Sequence, residues 1–268
     1  MIRGASLLVL AAAASLLIGC AAPAGGRPAP GDTNDRVTAS DESPESRRAR
    51  VRLELAAAYF GKGQLEVALD EVKLALAADP NLGPAHNLRG LIYSSLGEAA
   101  LADESFRRAL SINPRDADAM HNYGWHLCRE RRYDEATANF NRALAEPRYR
   151  DVVRTQLALG VCEARAGRLD LAEGALLRAY EMDPGSPATA INLAEVLLRR
   201  GEFERARYYV RRVNAVPEYV SPESLWLAAR VEHRLGNTVG VNDFGAMLRS
   251  RFPQATETRA FERGRFNE

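Results

Sequence analysis

The chain has 268 residues, 36 of them basic and 35 acidic, for a formal net charge of +1. Such a balance leaves no electrostatic footprint for a nucleic-acid partner, and the arginines stand interleaved with Asp and Glu at helical spacings, as on a solvated face. Lys62 and Lys73 are the only lysines, so the basic side is almost all arginine, a compositional bias.

In chain order, Arg3 is followed by an apolar run from Ala5 to Ile18 and then Gly19-Cys20. At 1.5 Å per residue this run is too short for a bilayer core of about 30 Å, which favours a signal peptide over residues 1–19. Leu17-Ile18-Gly19-Cys20 resembles the bacterial lipobox. That resemblance implies cleavage before Cys20, diacylation of its thiol and acylation of the new amine. Two or more acyl chains make a stable anchor, whereas one is marginal. Ala21 after the cysteine implies, by the lipoprotein sorting pattern, transfer to an outer membrane. Residues 20–48 are rich in Ala, Pro, Gly, Asp and Ser and cannot bury enough apolar surface to offset the entropy of ordering, so they read as a lipid-anchored flexible tether. Removal of residues 1–19 deletes Arg3 and takes the net charge from +1 to 0. The remainder is long enough for one continuous core and does not require two domains.

Beyond residue 48 the chain repeats itself. Ala68, Ala102, Ala136, Ala172 and Ala206 fall at spacings of 34, 34, 36 and 34. With that alanine at position 20, position 8 is Ala56, Gly90, Gly124 and Gly160, position 15 is Gly63, Gly97, Gly167 and Gly201, and position 32 is Pro80, Pro114 and Pro184. Small residues at 8 and 20 suit two helices, A and B, that cross closely, glycine stops helix A, and proline cannot continue helix B. Position 24 (Val72, Phe106, Phe140, Leu176) fills the seam. The pattern resembles the tetratricopeptide repeat (TPR) family and implies an all-α, right-handed superhelical solenoid of about six repeats over residues 49–255, with 256–268 as a C-terminal tail. Repeat starts are expected at Ala49, Gly83, Ala117, Val153, Pro187 and Pro222, with Ser186-Pro187 and Ser221-Pro222 as N-cap and first-turn proline. Ser43-Pro44-Glu45 is expected to begin the first helix early.

No motif for catalysis emerges. His121 and His126 lie five apart on different helix faces, no HExxH or Cys/His ligand set is present, and GxSxG, GxxxxGK[ST] and GxGxxG are absent. Neither enzyme activity, a metal, a cofactor nor a small-molecule substrate is expected. Cys128 and Cys162 sit at different offsets of successive repeats, at positions 12 and 10. With helix axes 8 to 10 Å apart, buried free thiols are expected, a disulfide being the alternative that the periplasm permits. Function is left to the concave face. Positions 5 and 9 of the A helices should line it with Leu53, Asn87, Leu91, His121, Trp125, Leu157, Val161, Ile191 and Trp226, mostly apolar, with Trp125 the expected anchor. The Lys, Arg and Asn set that clamps a peptide carboxylate in other TPR domains is missing, so an apolar or amphipathic segment is the expected guest. Burial by superhelical curvature or by the chain's own tail is the alternative reading of the same residues. Arg129 and Arg165 at position 13, with Arg154 and Arg234, flank the stripe as contacts or as solubilising rim.

The lipobox, tether and six repeats together resemble the PilF/PilW family of type IV pilus assembly lipoproteins, most specifically at Asn122-Tyr123-Gly124-Trp125-His126-Leu127-Cys128. The resemblance implies an outer-membrane, periplasm-facing pilotin that binds a PilQ-like secretin and promotes its localisation and multimerisation. TPR lipoproteins that serve as adaptors for cell-wall hydrolases or outer-membrane protein assembly are the alternative. The irregular 36-residue step adds two residues near Tyr149 to Val152, and the partner site is expected near repeats two to four.

Overall fold

The structure, a computed structural model, describes residues 43–266. Residues 1–42, and with them the expected signal peptide, the lipobox-like Cys20 and most of the expected tether, lie outside the described residues. Among those described there are thirteen α-helices and no strand. Twelve of the helices form six consecutive A/B pairs: α1 (Pro44–Gly61) with α2 (Leu65–Ala78), α3 (Gly83–Leu96) with α4 (Ala99–Ile112), and α5 (Ala117–Arg129) with α6 (Tyr133–Ala145). The array continues through α7 (Val152–Arg165) with α8 (Leu169–Met182), α9 (Pro187–Arg199) with α10 (Phe203–Asn214), and α11 (Pro222–Arg234) with α12 (Thr238–Arg251). It is a solenoid of six tetratricopeptide-type pairs, as the 34-residue period predicts.

The chemistry that starts and stops these helices is local. Ser43, Ser186 and Ser221 accept backbone N–H groups of Ser46, Thr189 and Ser224, and a proline follows each of them. Helix α1 therefore begins at Pro44, inside the span read as tether. At position 15 the chain must turn back with a positive φ, and Gly63, Gly97, Gly167 and Gly201 adopt values of 71° to 81°. In repeat three the same place is taken by Arg131 at φ 60°, a conformation that strains a side-chain-bearing residue.

Between the helices of a pair, the seam closes on the residues of the repeat. Ala68, Ala102, Ala136, Ala172 and Ala206 are all fully buried, as are Val72, Phe106, Phe140 and Leu176. A Cβ on Gly90 would meet the Phe106 ring at 2.7 Å, and one on Gly160 would meet Leu176 at 2.5 Å. These approaches are too short for any side chain.

Two expectations are corrected. The last residues are not merely a tail, since Thr256–Glu262 forms α13. It starts 34 residues after Pro222, as the first helix of a truncated seventh repeat. Phe261 from α13 lies over Gly245 of α12 and covers the end of the core, as a solenoid terminus requires. Cys128 and Cys162 form a disulfide, with Cα atoms 5.8 Å apart, instead of two free thiols. The different offsets of the two cysteines, taken as an obstacle, are what brings them level. Adjacent A helices cross so that position 12 of one meets position 10 of the next, and the same pairing one repeat earlier puts Ser94 Oγ 3.0 Å from His126 Nδ1.

Apolar positions also admit buried acids where arginines can reach them. Glu232 is buried at position 11 and accepts hydrogen bonds from Arg207 and Arg211 at 2.7 and 2.6 Å and from Asn237 at 2.7 Å. Burial pushes its carboxyl up, but the donors from Arg207, Asn237 and Arg211 outweigh that and hold it at about 2.

Arg131→Gly should raise the unfolding free energy by about 1 kcal/mol, because glycine adopts the left-handed turn without strain. Urea denaturation checks it, and a lower midpoint would contradict the assignment. Reduction of the Cys128–Cys162 bridge, or Cys128→Ala with Cys162→Ala, should cost about 3–4 kcal/mol for a closed loop of this length. The oxidised and reduced protein are compared by thermal unfolding.

Candidate partner-binding groove

Because positions 8 and 11 of each A helix face its B helix or the core, positions 5 and 9 are left on the opposite side. Leu53, Asn87, Leu91, Trp125, Leu157, Val161, Ile191 and Trp226 are all half-buried, so each has a surface for contact while its base packs on the array. Leu91 and Trp125 pack against the same core cluster as Phe106 and Phe140. The guanidinium of Arg165 stands 5.2 Å from the centroid of the Trp125 ring, a cation–π arrangement that orients both groups. Asn87 accepts from Asn122 Nδ2 at 3.2 Å, and Asn122 in turn accepts from Arg154 at 3.0 Å, a polar chain across three A helices.

Of the nine residues, His121 leaves this surface and Trp226 is partly covered. His121 is only 5% exposed, and its Nδ1 lies 2.7 Å from Thr155 Oγ1, which also meets the Tyr149 hydroxyl at 2.6 Å. The physical reason lies in the irregular step. The turn between α6 and α7 has six residues, 146–151, where the turns at 79–82, 113–116 and 183–186 have four, and Tyr149 anchors the extra length onto Thr155, closing α7 over His121. Burial lowers the His121 pKa to about 4, with the Arg154 charge acting in the same direction. The ring is a neutral structural hydrogen-bonding group and cannot meet a partner. Trp226 is taken up by the C-terminus, with Phe261 edge-on at 6.4 Å and Phe266 tilted at 5.3 Å from its centroid. Here the C-terminal segment covers part of the residue.

At the far end of the face, position 9 is neutralised internally, since Arg230 donates to Glu195 at 2.9 Å. The apolar, unfilled stretch thus runs through Leu53, Leu91, Trp125, Leu157, Val161 and Ile191. The turn between repeats three and four borders a polar cleft of about 560 Å³, lined by Arg115, Asp118, Arg148, Tyr149, Arg150 and Asp151. Burial, reinforced by Asp116 and Asp151, raises the pKa of Asp118. Among the described residues no group of His, Cys, Asp and Glu side chains is placed to hold a metal, and no helix is long and apolar enough to cross a membrane.

Family models of the tetratricopeptide repeat match residues 83–116, 124–187 and 163–216. The crystal structure of PilW, described as a widely conserved type IV pilus biogenesis factor, is 32% identical and superposes with a TM-score of 0.75, over 79% of this chain and 97% of that one. The chain belongs to the PilF/PilW family of type IV pilus biogenesis factors. The type IV pilus assembly protein PilF of Pseudomonas aeruginosa is 26% identical over 234 residues, 84% of this chain and 92% of the relative. A Pseudomonas aeruginosa PilF structure has the same fold, at 23% identity and a TM-score of 0.72, over 83% of this chain and all of that one. Within this family frame the chain is a scaffold of interaction repeats, and its functional surface is to be sought on the repeats themselves.

Sequence reasoning missed Arg199, which stands at position 13 of repeat five as Arg129, Arg165 and Arg234 stand in repeats three, four and six. The period alone would have found it. It also missed the disulfide, for which the pairing of positions 12 and 10 between neighbouring A helices has no signal in the spacing of one repeat.

His121 yields a pH prediction. Its folded pKa of about 4 lies below the ordinary 6.5, so between those values the unfolded state binds more protons. Its contribution to stability is complete above pH 6.5, is lost as pH falls to 4, and amounts to roughly 3 kcal/mol. His121→Gln should flatten that part of the stability profile, measured by denaturant unfolding at each pH.

Proposed function

We propose that this protein is an outer-membrane pilotin of type IV pilus biogenesis, anchored through acylated Cys20, that holds a segment of a PilQ-like secretin in its concave face and promotes secretin localisation and multimerisation. The observation that carries the reading is the conjunction of Leu17-Ile18-Gly19-Cys20 with a repeat array that is 32% identical to PilW over 97% of its length. A lipid on Cys20 concentrates the array at a membrane, and the segment read as a tether, residues 20–48 apart from the start of α1, lets it work away from the lipid. Two subunits of a multimer carried by lipidated chaperones meet at surface concentrations, which favours association by mass action. The apolar stretch around Leu91, Trp125 and Val161 supplies the holding surface, with Trp125 as its anchor.

The test is a secretin assay in the native host. Cys20→Ser should reduce outer-membrane secretin multimers on non-reducing, unheated gels, and Trp125→Ala should reduce co-purification of secretin while leaving the protein folded and lipidated. Wild-type multimer abundance with Cys20→Ser would reject lipid carriage. Undiminished co-purification with Trp125→Ala would reject the groove.

A further inference from the structure

We propose that the arginines at position 13 of repeats three to six, Arg129, Arg165, Arg199 and Arg234, form a ladder along the concave face that selects an acidic, extended segment of the partner. The inference rests on the groove reading above but not on the identity of the partner. All four side chains are exposed, and each leans on the repeat before its own. Arg129 donates to Ser94 Oγ at 3.4 Å and Arg199 to the Ala164 carbonyl at 3.0 Å. Arg165 stands over Trp125 at 5.2 Å and Arg234 over Phe203 at 4.7 Å.

None of the four has a carboxylate in ion-pair reach among the described residues. Elsewhere the contrast is plain, since Arg168, Arg200, Arg205 and Arg207 pair with Glu163, Glu173 or Glu232. The ladder is thus a row of guanidinium groups, held in place by neutral contacts, whose charge has no internal partner. Guanidinium recognises carboxylate in a fixed fork geometry.

Spacing narrows the guest. Position 13 recurs once per repeat, and neighbouring A helices pack about 8–10 Å apart. A polyproline II segment advances about 9 Å in three residues and returns every third side chain to the same face. Carboxylates three residues apart would therefore meet successive rungs, while apolar side chains of the same period face Leu91, Trp125 and Val161. The four arginines also occupy last turns of α5, α7, α9 and α11, where a cation is favoured by the helix dipole. That is a contribution to folding, and thermal unfolding separates it from binding.

The experiment titrates the full lipidated chain in detergent micelles against a fluorescein-labelled Pro-Leu-Glu repeat peptide and its Pro-Leu-Gln counterpart, read by anisotropy. The acidic peptide should bind at least about tenfold more tightly at low salt, an advantage that shrinks as salt is added. Arg129→Gln with Arg199→Gln and Arg234→Gln, which leave the Arg165–Trp125 contact intact, should abolish the advantage while leaving the affinity for the Gln peptide. Because the two peptides are compared on the unaltered protein, the charge preference is read even where the triple variant does not fold. Equal affinity for both peptides, or a preference that survives the triple substitution, would overturn the ladder. So would loss of binding to phosphatidylglycerol vesicles on substitution with no peptide preference, which would assign the row to a membrane surface. Trp125→Ala should weaken both peptides, and if it weakens neither, the concave-face reading itself falls.

Discussion

The close crossing of the two helices within each repeat is the constraint on which the rest depends. Gly90 and Gly160 press against Phe106 and Leu176 with no room for a β-carbon, and the alanines at position 20 are fully buried behind them. Because one side of every A helix is committed to that contact, the faces left over are set by geometry. One meets the next A helix and the other meets the concave surface. A partner surface in such a protein is what remains after packing has taken its share.

Neighbouring A helices then carry most of the specific chemistry. Positions 12 and 10 meet as Ser94 with His126 and as Cys128 with Cys162, and the polar chain of Asn87, Asn122 and Arg154 crosses three repeats. The bridge ties α5 to α7 toward the C-terminal ends of both helices, across the junction of repeats three and four. Tyr149, Thr155 and His121 tie the same junction from the other side. Trp125, the proposed anchor, therefore stands on a covalently cross-braced part of the array, and a rigid support lowers the ordering cost of binding.

The ends of the array are handled differently from its middle. At the C-terminus α13 takes the place of a seventh A helix, and Phe261 and Phe266 close over Trp226. The first repeat keeps Val51 and Leu55 exposed on α1, the face against which an earlier repeat would pack. The apolar stripe read along the whole concave face is thereby interrupted toward this end, where Glu195 and Arg230 neutralise each other beside Ile191.

Period, helix boundaries and the small residues of the crossing were legible in the chain because each depends on local steric limits. Glycine at a positive φ, serine before proline, and alanine where two backbones approach are each specified by one residue and its immediate turn. The eventual loss of His121 to the core, the closure over Trp226 and the union of Cys128 with Cys162 were not legible. Each depends on where a residue of one repeat falls against the next, and the crossing offset between neighbouring A helices leaves no mark within a single repeat. The sequence alone determined a helical array with an internal rhythm of about 34 residues. Only the tertiary structure decided which side chains on its concave face stay free, because that is settled by packing between repeats and not within them.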